Sequence, residues 1–296
     1  MTPDQQRAAA DYLSERYKVS QRRTCRVMGR SRSVLRYRRG RRHDEAPLTR
    51  EIKRLARRHP RYGYRRIHAL LIRGGWTVNI KRVRRLWNSL GLRRPLRLRK
   101  PRKLGPKPGT SANSCVQQPA RFKNDIWTCD FIHDRTASGR PLKWLTLVVE
   151  YTRECLVLHA DESITGADVR RIVARVIGRR GAATRIRSDN GSEFICEALR
   201  NWLPGVGAES IPVAAGSPWE NGYIESFHSR LRDEFLEREE FEDVADARAK
   251  AHWYRREYNA VRPHSSLGYA TPKEFSTACD QQEMTRGRDI RLCRAI

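Results

Sequence analysis

No segment of this 296-residue chain approaches the roughly 18 consecutive apolar residues that a membrane-spanning helix needs. The opening Met1-Thr2-Pro3-Asp4-Gln5-Gln6-Arg7 has no signal-type hydrophobic region. A membrane partner is therefore not expected, and the cytoplasm is the expected compartment. Cys25, Cys115, Cys129, Cys155, Cys196, Cys279 and Cys293 are odd in number and never spaced C-x-x-C, which argues against a disulfide framework and a zinc site. No G-x-x-x-x-G-K-[ST] segment occurs, so an ATP-driven motor is unsupported.

Acidic residues are scarce in one region only. Residues 1–110 hold 34 basic and 6 acidic side chains, whereas residues 111–296 hold 27 of each, so the front third carries the whole formal net charge of +28. Clustered Lys and Arg gain affinity for a phosphate backbone by releasing its condensed counterions, which points to nucleic acid as the partner.

The front third reads as helical. Val19 to Tyr37 forms helix, Gly29-containing turn, helix, with Ser20 and Ser31 as N-caps and Arg32, Arg36 and Arg38 offered to DNA. Helices over 49–59, 64–73 and 79–90 follow; the last has Ile80, Val83, Leu86, Trp87 and Leu90 as an apolar stripe, with Lys81, Arg82, Arg84 and Arg85 off it. Five prolines between 93 and 120, without apolar periodicity, mark a basic linker.

Beyond it the pattern turns to strands, at 126–133, 142–151, 155–160, 184–188 and 209–213, with helices at 165–179, 193–203 and 219–236. That order predicts an α/β domain, a mixed sheet flanked by helices. The expected boundaries are 1–45 for a helix-turn-helix-like segment, 46–92 for a second helical DNA-binding unit, 93–124 for the linker, 125–240 for the catalytic core and 241–296 for a C-terminal helix and tail.

Three acids stand out by position. Asp130 interrupts an apolar strand, where an unpaired charge is costly; Asp189 ends a short strand, where ligands bind in open α/β sheets; Glu225 shares a helix face with His228, Ser229 and Arg232. Converging carboxylates repel, and divalent cations reverse that repulsion. Magnesium suits such oxygen ligands, with manganese as the alternative, and two ions can serve an in-line phosphoryl displacement, so Asp130, Asp189 and Glu225 are expected both to catalyse and to bind metal. Asn190 and Asn221 are candidates to orient the carboxylates or DNA, although Asn-Gly is also a turn signal. Asp134 suits a strand-end hydrogen bond, His264 either DNA contact or a local cap, and Cys129 packing on the opposite sheet face.

The words Trp127-x-x-Asp130-Phe131-x-x-Asp134, Ser188-Asp189-Asn190-Gly191-Ser192-Glu193-Phe194, Asn221-Gly222-x-x-Glu225-Ser226-Phe227 and Tyr258-Asn259-x-x-Arg262-Pro263-His264, with 35 residues between Asp189 and Glu225, resemble OrfB-type transposases of the IS-three family of bacterial insertion sequences. The resemblance implies an RNase H-like core, metal held by Asp130, Asp189 and Glu225, and Arg232 near DNA in a place where many relatives have Lys. It implies terminal inverted repeats and target DNA as double-stranded substrates, a homo-oligomer, an upstream OrfA-type partner and association with the nucleoid. An RNase H-type nuclease without joining activity and a DNA-binding repressor of its own element are the rival readings.

Overall fold

The computed structural model describes residues 3–36, 43–92, 118–189, 191–195, 201–213 and 221–293; Arg38 and Asn190 lie outside them. Two compact units divide the chain, Met1–Glu51 and Ile52–Ile296.

The first unit holds α1 (Pro3–Tyr17), α2 (Gln21–Val27) and α3 (Arg32–Arg36) around Ala10, Cys25 and Leu35, with Met28 packed against them. Ser20 caps α2 by accepting the Arg23 N–H at 3.4 Å, and Gly29, at φ 61°, supplies the left-handed turn. Ser31 accepts the Val34 N–H at 3.4 Å. α1 was not expected from the sequence: its small and polar residues form no strong apolar stripe, and its burial is confined to contacts with its two short neighbours.

In the second unit, the end of α4 (Glu45–Arg58) joins α5 (Tyr64–Arg73) and α6 (Ile80–Ser89) over the fully buried Ile52, Ile67 and Val83. Asn79 caps α6 by accepting the Lys81 N–H at 2.8 Å. These helices pack into the same compact body as the sheet. Arg66 on α5 donates to Glu234 at 2.8 Å, and Arg73 donates to Glu274 at 2.9 Å.

The sheet comprises β1 (Ile126–Arg135), β2 (Pro141–Val149), β3 (Cys155–Asp161), β4 (Arg185–Ser188) and β5 (Glu209–Pro212) in the order β3-β2-β1-β4-β5. β1 runs antiparallel to β2 and parallel to β4, which runs parallel to β5. This mixed order, with helices on both faces, is the RNase H-like fold.

α7 (Gly166–Arg180), α8 (Ser192–Ile195) and α9 (Trp202–Gly205) follow strands β3 and β4. Their side of the sheet buries Trp127, Cys129, Leu145, Val169, Val173, Phe194 and Leu203. Thr165 and Asp168 cap α7 reciprocally. The other side buries Trp144, Ile224, Phe227, Leu231, Phe235, Tyr254 and Tyr258 beneath α10 (Gly222–Leu231) and α11 (Val244–Ala260). α12 (Pro272–Cys293) ends the described chain.

Of the helix expected at 193–203, α8 and α9 are described, and residues 196–200 lie outside the described set. The one expected at 219–236 is α-helical from Gly222 to Leu231 and then widens into a π turn, Arg232–Leu236, with residues 219 and 220 outside the described set. That turn carries the buried Asp233 and Glu234, whose basic partners lie far away in sequence.

Side chains of α11 cover the edge strand β3. Asn259 accepts the Cys155 N–H at 2.9 Å and donates to the Cys155 carbonyl at 2.8 Å, while Arg255 donates to the Leu156 carbonyl at 2.6 Å and Arg248 to that of Ala160 at 2.9 Å.

Candidate active site

Strand register brings the first two acids together. Cys129 and Ser188 are partners in the parallel β1/β4 pair, so Asp130 and Asp189 follow them at the same level. Cys129 turns into the opposite face and is 1% exposed. The Asp189 carboxylate accepts the Gly191 N–H at 3.2 Å, and a Cβ on Gly191 would stand only 3.1 Å from that oxygen. α8 is fixed beside it: the Phe194 ring stacks on Phe131 at 4.9 Å, and Lys143 pairs with Glu193 while lying over the Phe131 ring.

Glu225 is positioned by two polar fastenings of its helix. Thr128, buried on β1, donates to Asn221 Oδ1 at 2.6 Å at the start of α10. One turn past Glu225, His228 Nε2 lies 2.8 Å from Thr146 Oγ1. Thr146 is the β2 partner of Asp130 and donates its hydroxyl proton to the Asp130 carbonyl at 2.9 Å. Having one proton to give, Thr146 must accept from His228, which assigns the Nε2–H tautomer. The lone pair on Nδ1 then faces Asp130 Oδ2, 3.7 Å away.

The electrostatics follow from this arrangement. Burial pushes the Asp130 carboxyl up to about 6; the Phe131 N–H at 2.7 Å opposes that rise, and the charges of Asp189 and Glu225 add to it. His228 is lowered to about 4, first by burial and then by Arg232, so it is neutral near pH 7 and supplies no countercharge. Oxygen donors from three acids, with a neutral imidazole behind them, fit a hard divalent cation. Asp189 and Glu225 are exposed, and among the described residues no group of three or more His, Cys, Asp or Glu side chains is drawn together closely enough to hold a metal ion.

Arg232, exposed at the start of the π turn, lies within electrostatic reach of His228. In the first unit Arg32 and Arg36 are exposed, and Arg36 donates to Gln21 at 2.9 Å. On α6, Lys81 and Arg84 are exposed, whereas Arg82 and Arg85 are half-buried. Asp134 accepts the Arg135 N–H at 2.9 Å at the end of β1. His264 is buried against Tyr258 and accepts from Arg262 at 3.0 Å, so it is part of an internal network rather than a surface contact. That network, Arg66 and Arg262 around Glu234, has little trace in the sequence beyond the Asp233-Glu234 pair set beside the apolar Phe235 and Leu236.

An RNase H-like sheet with one aspartate within β1, another just past the end of the adjacent β4 and a glutamate on the covering helix is the arrangement of the DDE polynucleotidyl transferases. Family models agree along the chain: an HTH-like domain matches residues 42–100, and two integrase core domain models match residues 120–218 and 207–272. The chain is 37% identical over 264 residues to the insertion element IS407 uncharacterized 31.7 kDa protein of Burkholderia multivorans, covering 89% of this chain and 93% of that protein. It is 36% identical to the insertion element IS476 uncharacterized 39.2 kDa protein of Xanthomonas euvesicatoria, covering 93% of this chain and 78% of that protein. The transposase for insertion sequence element IS904 of Lactococcus lactis is 27% identical, with 77% of this chain and 92% of that protein covered. The chain belongs to the insertion-sequence DDE transposases, in the OrfB-type group of the IS-three family.

Proposed function

We propose that this chain binds the terminal inverted repeats of its own insertion element through residues 1–92 and cuts and joins DNA strands through residues 125–240, with Asp130, Asp189 and Glu225 as the catalytic metal ligands. The observation that carries this reading is the register of β1 and β4, which sets Asp130 beside Asp189, while both Asp189 and Glu225 raise the Asp130 pKa.

Two divalent cations, magnesium or manganese, would offset the three negative charges and the charge gathering on the attacking and leaving oxygens. The protein contributes position. Asn221 and His228 hold the Glu225 helix against β1 and β2, and the stacked Phe131 and Phe194 hold the Asp189 loop. A water or 3′-hydroxyl oxygen gives up its proton and bonds to phosphorus as the opposite P–O bond breaks, and the leaving oxygen takes up a proton in turn. Arg232 contacts a phosphate beside the acids, and Lys81, Arg84, Arg32 and Arg36 contact the flanking duplex.

The reaction runs on the bacterial chromosome, in the cytoplasm and nucleoid, through a homo-oligomer and with an upstream OrfA-type product. The test is incubation of the purified chain, with and without that product, with labelled element ends and magnesium. Joined strands support the proposal. Cleavage without joining would make it a nuclease, and binding with neither would make it a repressor.

A further inference from the structure

Beside α10 lies a cavity of about 680 Å³ whose lining includes Arg66, Arg153, Tyr223, Ser226, Arg230 and Arg262. Two of its arginines are engaged by one acid: Arg66 and Arg262 both donate to Glu234. The other two are differently placed. Arg230 is exposed, and the Arg153 guanidinium lies 3.9 Å over the Tyr223 ring with its Nη1 buried and without a hydrogen bond. Glu150, whose carboxyl feels the Arg153 charge, is itself bound to the fully buried Arg187 at 2.9 Å.

Arg153 also occupies a backbone conformation, φ 63°, that glycine or asparagine adopts more readily, in the tight turn between β2 and β3. Local conformation alone therefore does not account for an arginine there. Gly222 brings the first turn of α10 to the cavity wall, and Ser226 on that wall directly follows Glu225. Arginines, an aromatic ring and helix-end N–H groups in one recess are the means by which proteins hold single-stranded nucleic acid. A recess of this volume takes a group the size of a nucleotide, not a duplex.

We propose that this cavity holds the phosphates of an unpaired DNA strand as it leaves the acids, with Arg153 and Arg230 as the contacts. The inference rests on the transposase reading above and adds to it a site for a single strand.

The test measures binding of the full chain, by fluorescence anisotropy, to a blunt element-end duplex and to the same duplex bearing a short 5′ or 3′ overhang. One overhang should bind about tenfold tighter than the blunt duplex, equivalent to about 1.4 kcal/mol. Arg153→Asn, Arg230→Gln and their combination should lose that advantage while keeping blunt-duplex affinity. Asparagine tolerates the turn, so the melting temperature of Arg153→Asn should not fall; Arg230 is exposed and gives the same readout without a folding question. An overhang advantage that is absent from the unmodified chain, or that survives in the double variant, overturns the proposal. So does displacement of the overhang by deoxyadenosine monophosphate at lower concentration than by a single-stranded oligonucleotide, which would assign the cavity to a free nucleotide. Failure of the unmodified chain to bind even the blunt duplex would count instead against the DNA-binding reading.

Discussion

Arg262 grips Glu234 with both sides of its guanidinium, Nε to Oε2 at 2.6 Å and Nη2 to Oε1 at 2.8 Å. Both side chains are almost wholly buried, and Arg66 from α5 reaches the same carboxylate at 2.8 Å. Its partners hold the Glu234 carboxyl below the usual range against the opposing effect of burial, and Glu234 in turn raises Arg262. Replacing Glu234 with Gln should destabilise the second unit by about 3–5 kcal/mol, because it leaves two arginines without their shared anion. Urea unfolding of the full chain measures this; a loss below about 1 kcal/mol, the range of an exposed pair, would contradict the role.

Asp130→Asn, Asp189→Asn and Glu225→Gln should each reduce strand joining on the order of 10³-fold or more while leaving end binding intact. Removing carboxylate repulsion should also raise the melting temperature without magnesium and weaken the stabilisation that magnesium gives the parent chain. Joining at near-parental rates in any one variant would take that residue out of the site.

Arg232→Ala should weaken DNA binding by about 1–3 kcal/mol at low salt if its phosphate contact is charge-assisted, with a smaller loss at higher salt. It should also ease the depression of the His228 pKa, to which Arg232 contributes. Anisotropy across a salt series tests the first effect and an NMR titration of the imidazole tests the second. An unchanged salt series would return Arg232 to an ordinary solvated surface.

His59 and His264 should make the chain less stable as the pH falls from neutral. Burial lowers His59 from 6.5 to about 4, with Arg58 adding to the effect, and lowers His264 to about 2, with Arg262 adding to it. Below pH 6.5 the unfolded chain takes up these protons and the folded chain does not, so each costs about 1–2 kcal/mol between pH 7 and pH 5. His228, lowered to about 4, acts with them, while Asp130, raised to about 6, and Glu150, raised to about 7, act in the opposite direction and offset only part of the loss. Unfolding free energies measured across this range should fall less steeply in His264→Asn than in the parent; equal slopes would refute the assignment.

Much of the catalytic sheet could be read from the chain because its signals are local. Strand alternation around Trp127 and Cys129, the Ser188-Asp189 strand end and the Ile224-Phe227-Leu231 stripe each announce an element and the direction of its acid. The fastenings that aim those acids could not be read in the same way. Thr128 meets Asn221, Thr146 meets His228 and Arg66 meets Glu234 across separations of 93, 82 and 168 residues, and nothing in the residues beside them marks the pairing. α1 escaped notice because it buries little beyond Ala10, and the π turn because its register changes without a proline or glycine.

The α11 side chains laid along β3 have a consequence for a protein proposed to act on DNA as several copies. An outer strand with open peptide groups invites the same strand of another molecule to pair with it, and crowding on DNA would favour such pairing. Asn259, whose amide imitates a peptide group, takes both the N–H and the carbonyl of Cys155, while Arg255 and Arg248 occupy the carbonyls of Leu156 and Ala160. Copies brought together in that way would meet an edge already closed at these points, which guards against fibre-like strand-to-strand stacking.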